Sequence, residues 1–257
     1  RERGASIAPR LFDDARMPAA ARVAAVSASV SEVETAQIRT VTAIGEAAQV
    51  QTARLTRALA DAGLAAERFI GAAESKTRGV GGPFVPFKLD PKGSPFEREV
   101  LRLQEQVRIA DRLRDAVRRA PLRRPLPEGA ETTSSFGSRV DPFLGRLAYH
   151  TGLDFRGEHG SPIRATGDGV VTHAGRHGGY GLMVEIDHGD GLTTRYAHLS
   201  AVLVEEGQRL ASGAVVGRLG STGRSTGPHL HYEVRIDDEA VDPMRFLRAG
   251  ARHAALP

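Results

Sequence analysis

Valines set the rhythm of the first part of the chain. Val23, Val26, Val30 and Val33 recur at spacings of three and four, and Val41, Ile44, Ala48, Leu55 and Leu59 resume the stripe after a skip near Gln37. Such spacing gathers side chains on one face of a helix, and the skip is a stutter in a coiled-coil-like seam. The stretch from Asp13 to Gly63 is Ala-rich and has no proline after Pro18, so a long helix is predicted. The glycine- and proline-broken run Gly79–Phe87 ends the pattern. It returns after Pro95, where Val100, Leu103, Val107, Ala110, Leu113 and Val117 alternate with Arg, Glu and Gln. Residues 11–120 are therefore expected to form a helical hairpin whose two apolar stripes zip together. As a spacer or oligomerisation arm it needs no further chemistry; as a regulatory arm it would cover an active site.

The pattern then changes period. Pro121–Gly129, PLRRPLPEG, reads as an extended, semi-rigid connector within a linker over 121–131. Most of the 29 glycines fall at or after Gly137, and between them lie short β-branched runs such as Gly169–Gly175, Gly181–Gly191 and Leu192–Leu199. Turn signals every 8–12 residues indicate an all-β fold, with Gly189-Asp190-Gly191 as a hairpin turn. The predicted class is a multidomain α+β chain: a helical hairpin followed by an antiparallel β domain over 132–249.

Composition narrows the chemistry. With 257 residues and 40% hydrophobic positions the chain can build a core, although Trp is absent. No cysteine is present, which excludes disulfides, thiol catalysis and thiolate-bound zinc. A net charge of +4 suits an anionic polymer, but no RNA-binding aromatic signature or helix-turn-helix appears, so nucleic acid is not an expected partner. No apolar run is long enough to span a membrane.

The polar residues that interrupt the β pattern carry the candidate chemistry. His150 and Asp154 lie four apart in strand-like sequence, where alternate residues share a face, with Gly152 leaving space between them. An imidazole and a carboxylate so placed are two good ligands for a borderline cation, and a third imidazole would complete a three-ligand site. His229 and His231, two apart behind a Gly-Pro turn, also share a face, and His198 ends another run. A hydrolytic metal site further needs a proton acceptor and oxyanion donors; His198 and one of His229 and His231 suit those tasks. Glu233 lies on the same strand face and is expected to be an exposed strand residue, with a partner to a ligand or a base as alternatives. His159, His173, His177, His188 and His253 lack metal spacing and are expected to be structural, His177 and His188 being the nearest to exceptions.

The segment from about Thr132 to Leu247 resembles the lysostaphin/LytM-type zinc metallopeptidases, which cut peptide bonds in bacterial peptidoglycan. SSFGSRVDPF (Ser134–Phe143), HTGLD (His150–Asp154), YAHLS (Tyr196–Ser200) and STGPHLHYEVR (Ser225–Arg235) carry the resemblance, in family order. It implies one Zn²⁺ per chain held by His150, Asp154 and His231, with His198 and His229 as the catalytic pair. It also implies peptidoglycan as substrate and a place in the periplasm or cell envelope, with the D-alanyl cross-link as scissile bond in a diaminopimelate wall and glycine bridges as the alternative. The chain begins at Arg1 rather than Met, so an anchor or signal is expected to precede it and to provide any membrane contact. The helical arm is expected to serve autoinhibition, homo-oligomerisation or recruitment of an envelope partner.

Two rival readings remain in view. Some relatives of this family lack metal ligands and act as non-catalytic regulators that activate other wall hydrolases; every ligand position is filled here. A lipoyl- or biotinyl-type carrier would need an acceptor lysine in the β half, and no lysine follows Lys92.

Overall fold

The structure is a computed structural model that describes residues 18–71, 92–127, 129–140 and 145–255. The expected break at Gly79–Phe87 lies outside the described residues. Helix α1 (Ala19–Asp61) is a single uninterrupted helix, with no break at the stutter near Gln37. It stops at Gly63, whose φ of 75° only glycine adopts easily. There Leu64 N–H donates to Leu59 O and Gly63 N–H to Ala60 O, the paired bonds of a Schellman cap, and the flanking Leu59 and Leu64 are both buried. A short helix, α2 (Glu67–Ile70), follows. Helix α3 (Pro95–Arg119) opens on a capping box: Glu97 N–H donates to Ser94 Oγ, and Ser94 N–H returns a bond to the Glu97 carboxylate, with Pro95 in the first turn.

The described residues fall into two compact units, 18–50 with 92–108 and 51–71 with 109–255. In the first, Phe96 lies beside Val33 and Val41, and the Gln106 side chain passes over Gly45. The expected zipping does not extend to the N-terminal part of α1: Val23, Val26, Val30 and Val33 stay 48–66% exposed. The reason is length. At 1.5 Å per residue, a 25-residue partner cannot cover a 43-residue helix, and α3 begins only level with Val33.

The second unit holds the β domain. Its strands are β1 (Thr132–Ser134), β2 (Gly137–Val140), β3 (Leu147–His150), β4 (Leu153–Arg156), β5 (Pro162–Arg164), β6 (Gly169–Arg176), β7 (Leu182–Asp187), β8 (Leu192–Leu199), β9 (Ala201–Val202), β10 (Arg209–Leu210), β11 (Val215–Arg218), β12 (His229–Ile236) and β13 (Glu239–Val241). All pairings are antiparallel. The main sheet runs β1-β4-β12-β8-β7-β6-β10 with β13 on β12; β5-β11-β9 form a second sheet and β2-β3 a ribbon. The Gly189-Asp190-Gly191 turn joins β7 to β8, all three residues at positive φ. Helix α4 (Pro243–Arg252) closes the unit, capped by the Asp242 carboxylate on Met244 N–H.

The connector is not a free spacer. Arg123 N–H donates to Thr166 O and Arg164 N–H to Pro125 O, and Leu126 is buried. The helix ends nearest to it join the same core: Leu55, Leu59, Leu113, Ala116 and Val117 cluster with Phe155, Ile163, Tyr196 and Tyr232. Arg245 donates to the carbonyls of Ala62 and Gly63, and His253 bonds Asp61. A cut at residue 130 would therefore open the core rather than release an intact domain.

Leu113→Ala is expected to destabilise the β domain by about 2–5 kcal/mol. Urea unfolding followed by tyrosine near-UV dichroism measures this, and an unchanged midpoint would separate the helix ends from the core. A second expectation concerns His188, fully bonded between Asp168 O at 2.7 Å and Thr194 Oγ1 at 2.8 Å. Burial lowers its proton affinity from 6.5 to about 4. The unfolded chain then binds more protons between about pH 6.5 and 4, so stability falls as the pH drops through that window. His188→Gln should make this dependence shallower; an identical slope would contradict it.

Candidate active site

Register builds the site. On the central strands Asp154 of β4 lies directly opposite His231 of β12, and His231 lies opposite Ala197 of β8. His198 follows Ala197 with φ of 60°, a left-handed conformation uncommon for any residue but glycine, and its ring turns toward β12. His150 does not share a strand with Asp154, contrary to the same-strand expectation. It ends β3, while Asp154 lies on β4, and the chain changes sheets at Thr151-Gly152. Gly152 is not a spacer between ligands either. A Cβ there would lie 2.4 Å from Tyr232 O and 2.9 Å from His231 Cε1, so glycine is needed for the link to pass against β12.

Three acceptor atoms meet. His150 Nε2 is 3.1 Å from Asp154 Oδ1 and 3.1 Å from His231 Nδ1, and His231 Nδ1 is 2.9 Å from Asp154 Oδ1. All three side chains are buried. The outer edge of each ring explains what faces inward. His150 Nδ1–H donates to Ser135 O at 2.8 Å, leaving the Nε2 lone pair toward the cluster. His231 Nε2–H donates to Glu233 Oε1 at 3.0 Å, leaving Nδ1 inward. Arg139 pairs with the other Asp154 oxygen, Oδ2, at 3.3 Å. Inward lone pairs this close repel unless a proton or a metal ion lies among them, and the group could hold a metal ion. A tetrahedral ion with bonds of about 2.0–2.1 Å sets its ligands roughly 3.3–3.4 Å apart, a few tenths of an ångström wider than this triangle, so the donor set fits.

Two more imidazoles face the same cleft. His198 Nδ1–H donates to Thr222 O and His229 Nδ1–H to Gly227 O, both at 2.8 Å. Their Nε2 atoms are thereby free to accept a proton. The two rings lie 4.8 Å apart, and His229 Nε2 is 3.9 Å from Asp154 Oδ1. The cleft, of about 850 Å³, is also lined by Tyr180, Arg139, Arg156 and Arg224. The structure thus brings all five sequence-predicted site residues to one cleft. Of the expected exceptions, His188 lies in the β core and His177 stacks against Tyr180.

The electrostatics separate the histidines. Burial, aided by the neighbouring His229 and His231, lowers His198 to about 4, so it is neutral at physiological pH. Burial also disfavours charge on His231, but hydrogen bonds to Asp154 and Glu233 outweigh it and lift it to about 9. Asp154 is buried too, yet hydrogen bonds from His150 and His231 hold its carboxyl far below the usual range.

Sequence reasoning misplaced Glu233. It is fully buried rather than exposed, and it bonds His231 directly. Alternation put it on the right face, but only the sheet order shows that this end of β12 is covered. Tyr180 and Arg139 were not singled out. Tyr180 lies in a glycine-flanked turn, and Arg139 within the quoted SSFGSRVDPF, of which residues 141–143 fall outside the described residues.

Residues 148–243 match Peptidase family M23. The catalytic domain of lysostaphin from Staphylococcus simulans is 32% identical, with 46% of this chain and 92% of that one covered and a TM-score of 0.43. The chain belongs to peptidase family M23. The M23 protein is 52% identical over 112 residues to a DD-carboxypeptidase/endopeptidase, Mpg, of Neisseria meningitidis serogroup B, covering 44% of this chain and 26% of that one. Peptidoglycan DD-endopeptidase ShyA of Vibrio cholerae is 39% identical over 144 residues, covering 56% and 34%. This M23 chain thus spans about a quarter to a third of the length of these curated relatives.

Because a proton held on His231 competes with a metal ion, affinity for a divalent cation should fall about tenfold per pH unit below about pH 9. Zinc titration against a competing chelator measures this, and a flat profile would remove His231 from the ligand set.

Proposed function

We propose that this M23 protein is a zinc-dependent endopeptidase that hydrolyses peptide cross-links of bacterial peptidoglycan in the cell envelope. The observation that carries the reading is the convergence of the His150, Asp154 and His231 acceptors beside two further imidazoles with free Nε2 atoms. The name of ShyA supports peptidoglycan as the substrate class, and the names of Mpg and ShyA both support a DD-bond as the one cut. His150, Asp154 and His231 would hold the Zn²⁺. When bound, the ion supplies a Lewis acid for the scissile carbonyl and lowers the pKa of a water toward about 7.

The protein's own groups then move protons. His198, kept neutral by burial, and His229 each accept a proton at Nε2, because Nδ1–H is committed to a backbone carbonyl. The imidazolium so formed donates to the developing oxyanion or to the leaving amine. With ring centroids 4.8 Å apart, a charge on one ring discourages a charge on the other. One ring therefore takes the proton while its neighbour stays neutral.

A second reading makes the protein a non-catalytic regulator that binds and activates another wall hydrolase. The exposed Val23–Val33 stripe on α1 favours it, as a surface suited to a second copy or an envelope partner. Among the described residues no helix is long and apolar enough to cross a membrane.

Cross-linked peptidoglycan fragments incubated with the zinc-loaded protein should yield new peptide termini by mass spectrometry, and chelation should abolish them. His198→Gln and His229→Gln should keep zinc but lower turnover by about 10²–10⁴-fold. Zinc-bound protein without cleavage would shift the reading to the regulator. Autoinhibition is tested by starting the chain at Gln51 and replacing 72–108 by a short glycine-serine link, which keeps the shared core. Faster cleavage is expected, and equal rates would exclude a restraining arm.

A further inference from the structure

We propose that Glu233 is a positioning residue that dictates which nitrogen of His231 faces a metal ion. The inference rests on the metal-site reading above. Four imidazoles face the cleft, and each has its outer nitrogen tied to an acceptor. For His150, His198 and His229 that acceptor is a backbone carbonyl, of Ser135, Thr222 and Gly227. For His231 it is a carboxylate, Glu233 Oε1 at 3.0 Å, with no backbone carbonyl in the same role, whereas at His229 the neutral Ser225 Oγ at 3.1 Å only adds to the carbonyl. A carbonyl is held by the fold itself, whereas a carboxylate must be held by something else.

Donors from two other segments and one from its own strand hold it. Thr151, in the link between β3 and β4, donates its hydroxyl to Oε1, and Tyr180, in the turn before β7, donates to the same oxygen at 2.9 Å. Arg235 Nη1 donates to Oε2 at 2.8 Å, and Arg195 of β8 stands 3.8 Å away while pairing with Glu185. Glu233 is 0% exposed, so water does not share these bonds. The two guanidiniums balance its charge, which makes a fully buried carboxylate tolerable. Being two residues from His231 on a strand, it stands on the same face and directly behind the ring.

The arrangement has a chemical consequence. A carboxylate only accepts, so His231 keeps its proton on Nε2 and presents the Nδ1 lone pair to His150 and Asp154. His150 presents Nε2 instead. The two imidazoles therefore meet one ion through different nitrogens, and only the His231 choice depends on a replaceable side chain. Tyr180 lines the cleft while bonded to Glu233, so the same carboxylate fixes a wall of the cleft and a ligand behind it.

The test measures Zn²⁺ affinity by chelator competition in the full chain and in Glu233→Gln, a neutral variant of nearly the same shape. Affinity should fall about 10–100-fold, with circular dichroism showing the fold retained. Affinity within about threefold of the original would overturn the proposal, since a merely structural carboxylate changes the unfolding midpoint and leaves zinc binding alone. Should the variant fail to fold, the unaltered zinc-loaded protein decides by long-range proton–nitrogen NMR. His231 carrying its proton on Nε2 supports the proposal, and a proton on Nδ1 overturns it. If the unaltered chain binds no zinc, the metal-site reading fails first and takes this inference with it.

Discussion

The site depends on one constraint: three lone pairs, two imidazole and one carboxylate, must be held about 3 Å apart inside a protein. Left alone they repel, and each would rotate away or take up a proton. The antiparallel register of β4 on β12 prevents this by setting Asp154 and His231 face to face. The change of sheet at Gly152 then delivers His150 from the side. Much of the local sequence follows from that requirement, including the glycine itself, the Ser135 carbonyl behind His150 and the Arg139 guanidinium on the outer Asp154 oxygen.

A wider frame keeps the register from slipping. Strand β12 lies between β4 and β8, and its Leu230, Tyr232 and Val234 enter the core while His229, His231 and Glu233 face the other way. A slip of one residue would exchange the two sets, burying imidazoles among leucines and exposing tyrosine. The Tyr232 and Tyr196 hydroxyls end in a buried chain with Thr166 and Thr194 that continues to His188. The helix ends add to the same core, so the β domain and the base of the arm stand as one cooperative body, while the valine stripe farther along α1 belongs to a separate unit.

Period carried most of what the sequence revealed. Spacings of three and four located α1 and α3, and Pro95 marked where the second begins. Alternation and the glycine turns located the strands, and the chemistry of His150, Asp154, His198, His229 and His231 marked the residues that meet in the cleft. What could not be read was sheet order. Spacing alone put His150 and Asp154 on one strand and Glu233 in solvent, because neither the change of sheet at Gly152 nor the cover over β12 leaves a local signature. Helix length was likewise invisible to the stripe: Val23–Val33 repeat as regularly as the buried Leu55 and Leu59, but only the first turn of α3, at Phe96, comes beside the end of that stretch.

The account stands on the claim that His150 Nε2, Asp154 Oδ1 and His231 Nδ1 hold one zinc ion. Anomalous diffraction at the zinc edge from crystals of the zinc-loaded protein tests it most directly. A single peak among those three atoms, with His198 and His229 outside bonding distance, is the predicted result. A peak bonded to His229 in place of His231, or one lying outside the cleft, would contradict it.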